Sequence, residues 1–207
     1  MNTTFKTLSI AAALAASLGL AGCAANAGSG NSMPMDHGSS GAMPSTGSMS
    51  PGATADHNQA DIMFAQMMIP HHSQAVEMSD IMLAKSGMPA EVTALATKIK
   101  AAQAPEIEQM TGWLTGWGAP TAMSDNSGHG MTGMVDDSGI EKLKSATGTD
   151  AAKLFLEQMI GHHEGAIEMA QQEISAGKSP DAVKLGHDIV DAQQAEITQM
   201  KQLLATL

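Results

Sequence analysis

A segment of fifteen residues occurs twice in this chain, and no other feature constrains the fold as much. Residues 64–78 match residues 155–169 at a constant spacing of 91 positions. The matched positions are a phenylalanine, a methionine, two adjacent histidines and a Glu-Met pair: Phe64 and Phe155, Met68 and Met159, His71-His72 and His162-His163, Glu77-Met78 and Glu168-Met169. Because so many positions agree at one spacing, the pattern indicates an internal duplication.

Each copy has the periodicity of an amphipathic helix, with the histidines on its apolar face. At about 100° per residue, the histidines share one face with phenylalanine, methionine and alanine. That face comprises Asp61, Phe64, Met67, Met68, His71, His72, Ala75, Met78 and Met82 in the first copy, and Phe155, Met159, His162, His163, Ala166, Met169 and Glu173 in the second. Glu77 and Glu168 fall outside this face. We therefore expect the histidine pairs to point into the protein core.

A second helical pattern is also duplicated, at a spacing of 90. Residues 102–110 match residues 192–200 at Ala-Gln, Glu-Ile and Gln-Met pairs. The patterns and their Pro and Gly boundaries predict helices over about 60–86, 89–114, 137–146, 150–176 and 179–207. The unit is therefore a helical hairpin used twice, at 60–115 and 150–207, with a linker at 116–149. We expect an all-α fold, an antiparallel four-helix bundle of the ferritin-like type.

The first 57 residues have a different composition from this helical region. Lys6, an apolar run over 8–20 and the sequence Leu20-Ala21-Gly22-Cys23 resemble a bacterial lipoprotein signal peptide. We expect residues 1–22 to be removed and Cys23 to carry the lipid that anchors the protein to the membrane. Residues 23–57 form a Gly/Ser/Met-rich tether, and residues 58–207 form the folded domain.

Charge and cysteine content exclude several functions. The net charge is −11 and the chain contains no arginine, so nucleic-acid binding is not expected. The one cysteine is assigned to the lipid, which leaves no disulfide within the chain. Serine, cysteine and lysine form no nucleophile arrangement typical of a hydrolase. An acidic surface instead favours cations.

The inner faces carry the side chains of a metal site. Glu106 and Glu196 lie where an apolar residue is expected, and a buried carboxylate needs a donor, a cation or a metal as partner. Imidazole suits Cu, Zn, Fe or Ni, whereas thioether sulfur favours Cu(I). The tether also holds soft ligands, and we expect loose metal capture by Met33, Met35 and His37; an inert linker is the open alternative.

Residues 68–78 and 154–170 resemble the two signatures of the DUF305 family, and the similarity extends over about residues 58–206. The resemblance implies an exported, ferritin-like four-helix bundle linked to copper binding and copper tolerance. Asp61 has Ala152 as its counterpart, where second copies in the family commonly have Asp. The full set of candidate ligands is Asp61, Met67, Met68, His71, His72, Met78, Glu106, Met159, His162, His163, Met169 and Glu196.

The expected function is non-enzymatic copper binding at the cell envelope, for sequestration or tolerance. Copper is expected as Cu(I) or Cu(II), with iron or zinc as alternatives. A ferritin-like metal oxidase is the second hypothesis, but Met68 and Met159 stand where its Glu-x-x-His motif needs glutamate. A tethered interaction module whose histidines only pack is the third. The periplasmic or extracellular face, a homo-oligomer and a copper-transfer partner stay open.

Overall fold

The computed structural model describes residues 56–123 and 131–207, which contain five helices and no strand. The helices are α1 (Gln59–Leu83), α2 (Ala90–Trp117), α3 (Asp137–Ser145), α4 (Gly148–Ala176) and α5 (Pro180–Leu204). The predicted all-α class is confirmed. Within these ranges, no helix has both the length and the hydropathy that crossing a membrane requires. The predicted signal peptide, Cys23, Met33, Met35 and His37 lie outside the described residues.

Local chemistry explains where the helices begin and end. Asn58 and Asp61 form a capping box at the start of α1, in which each side chain accepts a hydrogen bond from the other's backbone N–H. α1 ends at Leu83, three residues earlier than predicted, and Gly87 lies beyond it in the left-handed region (φ 72°). α2 continues to Trp117 instead of ending at 114, because Gly118 (φ 69°) supplies the left-handed C-cap there.

The long helices pack as two hairpins that face each other. α1 lies along α2 and α4 lies along α5, while α1 also packs against α4; α2 and α5 approach each other less closely. One hydrophobic cluster joins the start of α1, the end of α2, the end of α4 and the start of α5. A second cluster joins the opposite ends and includes α3. α1 and α4, the two histidine-bearing helices, therefore run in opposite directions.

A polar layer separates the two hydrophobic clusters. It contains both histidine pairs and the repeated glutamines and glutamates of α2 and α5: His71, His72, Gln103, Glu106, His162, His163, Gln193 and Glu196. All of these side chains are buried except Glu106, whose side chain is 22% exposed. Buried polar groups are costly unless they are paired, so the layer is the place to look for a function.

Candidate metal centre

The first histidine of each pair meets its repeat counterpart at the centre of the polar layer. α1 contributes His71 and α4 contributes His162, and their ring centroids lie 3.7 Å apart with the planes tilted by 36°. The two residues are 0% and 1% exposed. Because α1 and α4 run in opposite directions, the same position in the two copies comes together at one point.

The second histidine of each pair contacts the glutamate of its own hairpin. His72 Nε2 donates to Glu106 Oε2 at 2.7 Å, and His163 Nε2 donates to Glu196 Oε2 at 2.9 Å. The structure thus places both predicted glutamates behind the second histidines. Carboxylates in this position orient imidazole ligands of metals and raise their basicity.

In three of the four rings, a hydrogen bond made by Nε2 leaves the Nδ1 lone pair free. His71 Nε2 lies 3.3 Å from the carbonyl oxygen of Thr132, so this nitrogen carries the proton, as it does in His72 and His163. Among the described residues, the Nδ1 atoms of all four histidines have no hydrogen-bond partner, and neither does His162 Nε2. A buried, unprotonated imidazole nitrogen without a donor is a ready metal ligand.

The connection before α3 covers this centre. In addition to the bond from His71 to Thr132, the Gln74 side chain donates to the Val135 carbonyl at 2.7 Å and accepts from the Val135 N–H at 2.8 Å. A Cβ added to Gly165 would lie 2.1 Å from the Thr132 oxygen. We call residues 131–135 the strap. Gln74 and Gly165 occupy equivalent positions in the repeat. Gln74 forms hydrogen bonds with the strap, and Gly165 lets the strap pack closely against α4.

Burial favours the uncharged form of three of these imidazoles, those of His71, His162 and His163. Desolvation, reinforced by the neighbouring His72 and His163, lowers the pKa of His71 to about 3. Desolvation and repulsion from His71 also hold the pKa of His162 well below its ordinary value. Burial lowers the pKa of His163 even though its bond to Glu196 opposes the shift. His71, His162 and His163 therefore present neutral imidazoles at neutral pH.

Glu196, the glutamate of the second hairpin, has a lysine beside it in addition to its histidine. Burial alone would raise the pKa of Glu196. The bond from His163 and the charge of Lys98, whose Nζ lies 3.4 Å from Glu196 Oε1, lower this pKa overall.

A cavity of about 20 Å³ lies between α2 and α5, lined by both glutamates and by Gln103 and Gln193. Its volume and polar lining suit one water molecule.

The predicted sulfur ligands are distributed on both sides of the layer. Met68 and Met169 belong to one hydrophobic cluster, whereas Met78 and Met159 belong to the other. Met67 is half-buried and lines a surface pocket between α1 and α4. Glu77 and Glu168 are exposed, in agreement with the helical wheel.

Asp61 lies at one end of the structure, about 15 Å along α1 from His71. Its carboxylate accepts hydrogen bonds from the backbone N–H groups of Asn58, Lys178 and Ser179. Burial tends to raise the pKa of Asp61, but the neighbouring Glu173 carboxyl and these N–H groups lower it overall. Desolvation and the same contact raise the pKa of Glu173 to about 8. Asp61 therefore joins α1 to the α4–α5 turn, apart from the histidines.

Sequence reasoning missed the strap, Lys98 and the Asp61–Glu173 contact. Gln74 in the first copy corresponds to Gly165 in the second. This difference between otherwise similar segments was the one signal in the sequence that pointed to the strap. No three His, Cys, Asp or Glu side chains in the described ranges are grouped as a ready-made metal site. A set of two imidazoles with sulfur nearby is instead the type of ligand set that soft Cu(I) accepts.

Fold and site together define an internally duplicated, all-helical protein that buries two histidine pairs between its repeats. The chain belongs to the DUF305 family (domain of unknown function), whose model matches residues 61–204. The resemblance drawn from the repeated His-His segments is thus confirmed.

Solved structures of similar proteins support this assignment. A DUF305 protein from Streptomyces coelicolor, provisionally described as secreted, is 36% identical with a TM-score of 0.67, covering 71% of this chain and 93% of that one. A DUF305 fragment from Deinococcus radiodurans is 30% identical with a TM-score of 0.66, covering 72% and 98%. CopM in its Cu(II)-bound form is 35% identical with a TM-score of 0.61, covering 70% and 96%. No curated protein matches the chain.

Proposed function

We propose that this chain is an exported, non-enzymatic copper-binding protein that holds Cu(I) in its buried histidine layer. The ion is cargo, and binding it lowers the concentration of free copper outside the cytoplasmic membrane. The observation that carries the proposal is the contact between His71 and His162, which brings two neutral imidazoles to a centroid distance of 3.7 Å. The Nδ1 atoms of both rings have no hydrogen-bond partner among the described residues.

The chemistry of this layer favours copper over harder ions. Three of the four rings donate Nε2–H to an oxygen acceptor, which leaves Nδ1 as the donor atom toward a metal. The hydrophobic clusters on the two sides of the layer include Met68, Met169, Met78 and Met159, and no described group offers the several convergent oxygens that magnesium or calcium needs. Soft monovalent copper suits an imidazole set with thioethers nearby.

Relatives with bound metal support the same reading. CopM, which is 33% identical to this chain in its Cu(I)-bound form, has also been solved in Cu(II)-bound and Ag-bound forms. We transfer copper binding from that protein to this one because the chain carries its own complete set of four buried histidines. Sequestration, copper tolerance or hand-over to a transfer partner would each use such a site.

The architecture behind this proposal is an antiparallel four-helix bundle of the ferritin-like type, formed by α1, α2, α4 and α5. Its support is the packing of two hairpins around clusters that join opposite helix ends. We further propose that residues 1–22 direct export, that lipidated Cys23 anchors the chain to the envelope, and that Met33, Met35 and His37 in the tether bind copper weakly.

Anaerobic Cu(I) titration against a chromophoric competitor tests the site. The His71→Gln/His162→Gln variant should lose at least one tight equivalent, because glutamine supplies no imidazole nitrogen. The matched control is His187→Gln, an exposed histidine on α5 that should leave the tight equivalent intact. Circular dichroism checks that each variant is folded.

Equal tight binding by the wild type and the double variant would overturn the proposal. If no protein retains copper, oxygen consumption with Fe(II) tests the metal-oxidase alternative. A di-iron centre of the ferritin-like type would need a Glu-x-x-His motif on α1 and on α4, and Met68 and Met159 stand there instead of glutamate, which disfavours this alternative.

A further inference from the structure

A pocket lies at the surface of the protein, outside the histidine layer. This pocket, of about 140 Å³, opens between the first half of α1 and the last third of α4. It is lined by Met63, Met67 and Met169, together with Phe64, two alanines and the polar side chains of Gln172 and Glu173. Three methionine side chains thus line one opening.

The exposure of these methionines is graded from solvent to core. Met63 is 43% exposed, Met67 is half-buried and Met169 is 5% exposed. Core packing accounts for Met169 but not for Met63, since an exposed methionine gains little from burial. Met63 and Met67 are four residues apart on one face of α1, so their side chains are neighbours, and Met169 faces them from α4.

The duplication does not explain the three methionines. The repeat counterparts of Met63, Met67 and Met169 are Leu154, Gln158 and Met78. Met82 is in addition the counterpart of Glu173, so the corresponding seam has two thioethers, Met78 and Met82, where this pocket has three. Met63 and Met67 are the thioethers that the repeated pattern does not account for.

We propose that Met63, Met67 and Met169 form a second metal site, a surface thioether site that binds Cu(I) or Ag(I) independently of the histidine layer. Thioether is a neutral, soft ligand that selects monovalent copper and silver over zinc, magnesium or calcium. Three sulfurs around a volume of this size satisfy the low coordination numbers of these ions.

The position of this site links it to the buried centre. Met63, Met67 and His71 follow one another at four-residue intervals on α1, with successive residues about 6 Å apart along the axis. The series begins at the exposed Met63 and ends at the fully buried His71. An ion captured at the surface has soft ligands along its path inward. This transfer step rests on the proposed function, whereas the thioether site itself does not.

The test is NMR of the full chain with ¹³C-methyl-labelled methionine during titration with Ag(I), a redox-stable probe for Cu(I). The methyl signals of Met63, Met67 and Met169 should shift together and saturate. They should do so in the wild type and in the His71→Gln/His162→Gln variant. Met110, which is fully buried in the same hydrophobic cluster as Met169 but does not line the pocket, is the internal reference.

A variant with all three residues changed to leucine should bind this equivalent about tenfold more weakly or not at all. Leucine keeps the apolar volume, so the fold should be retained, and Met88→Leu at a half-buried position is the matched control. Methyl signals that stay still, or that shift only when the histidines are intact, would overturn the thioether site. Equal methyl shifts in the wild type and in the double histidine variant would support it, whatever the Cu(I) titration shows for the buried site.

Discussion

The imidazole rings of His71 and His162 lie 3.7 Å apart, although 91 positions separate these residues in the sequence. The contact follows from duplication combined with antiparallel packing. When two copies of one helix pack in opposite directions, equivalent positions near the middle meet, whereas equivalent positions near the ends separate. Phe64 and Phe155 show the second case, since they lie in opposite hydrophobic clusters.

Glu196 should control copper affinity through His163. In the Glu196→Gln variant, the amide keeps the shape of the side chain but removes the negative charge that supports the imidazole. We expect Cu(I) affinity to fall by about 10-fold to 100-fold, the usual effect of losing such a partner. Competition titration measures the change, with the exposed Glu168→Gln as control. Unchanged affinity in Glu196→Gln would show that His163 takes no part in binding.

Two glycines of α4 should respond oppositely to alanine. At Gly165, a new Cβ would lie 2.1 Å from the Thr132 oxygen, and the strap would have to move. We expect Gly165→Ala to destabilise the protein by about 1–3 kcal/mol. At Gly161, an added Cβ meets no atom of the described chain within 4 Å, so alanine should stabilise the helix by about 0.5–1 kcal/mol.

Chemical denaturation measures both glycine variants, each against the wild type. If Gly165→Ala is as stable as Gly161→Ala, the strap does not pack closely against α4 in solution. A shift of the His71 ring signals in Gly165→Ala alone would show that the strap positions that ring through Thr132.

The protein should lose stability in acid partly through His71. Burial and nearby imidazoles hold its pKa at about 3 in the folded state, against 6.5 normally. As the pH falls from 6.5 toward 3, the unfolded chain takes up a proton here that the folded chain does not, so folding becomes less favourable. This contribution approaches about 1.4 kcal/mol per pH unit.

Urea unfolding of the wild type and of variants at several pH values between 7 and 4 measures the contribution of His71 to the loss of stability. The stability of His71→Leu should fall less steeply with acidification than that of the wild type, while His187→Leu should follow the wild type. Parallel curves for the wild type and His71→Leu would mean that His71 titrates in the folded state as it does in the unfolded chain.

Glu173 should give the opposite pH dependence. Desolvation and the adjacent Asp61 raise its pKa to about 8, against an ordinary value of 4.5. As the pH rises from 4.5 to 8, the unfolded chain releases the proton and the folded chain retains it, so this residue destabilises the protein progressively. Glu173→Gln keeps the side chain neutral, and its stability relative to the wild type should increase over this range.

Unfolding midpoints of Glu173→Gln and the wild type at pH 5 and pH 8 provide the measurement. The exposed Glu168→Gln on the same helix is the matched control and should show no such trend. A constant difference between Glu173→Gln and the wild type at both pH values would contradict the raised pKa of Glu173.

Much of the architecture could be predicted because helical periodicity is a local property. The 3.6-residue repeat of apolar positions placed both histidine pairs on inner faces, and the burial of His72 and His163 agrees with it. The same reasoning placed carboxylates among the apolar positions of α2 and α5. Helix ends were less accurate, as at Leu83 and Trp117, because they depend on the conformation of the few residues after them.

The sequence by itself determined the all-helical class, the duplication and the residue types that face the core, since these depend on spacing along one chain. Only the tertiary structure decided that His71 faces His162 while His72 turns to Glu106, and that Asp61 binds backbone N–H groups far from them. It also decided the path of the strap over the centre and the pocket that Met63 and Met169 both line. These relationships depend on how separate helices approach each other, and periodicity within each helix carries no information about that distance or direction.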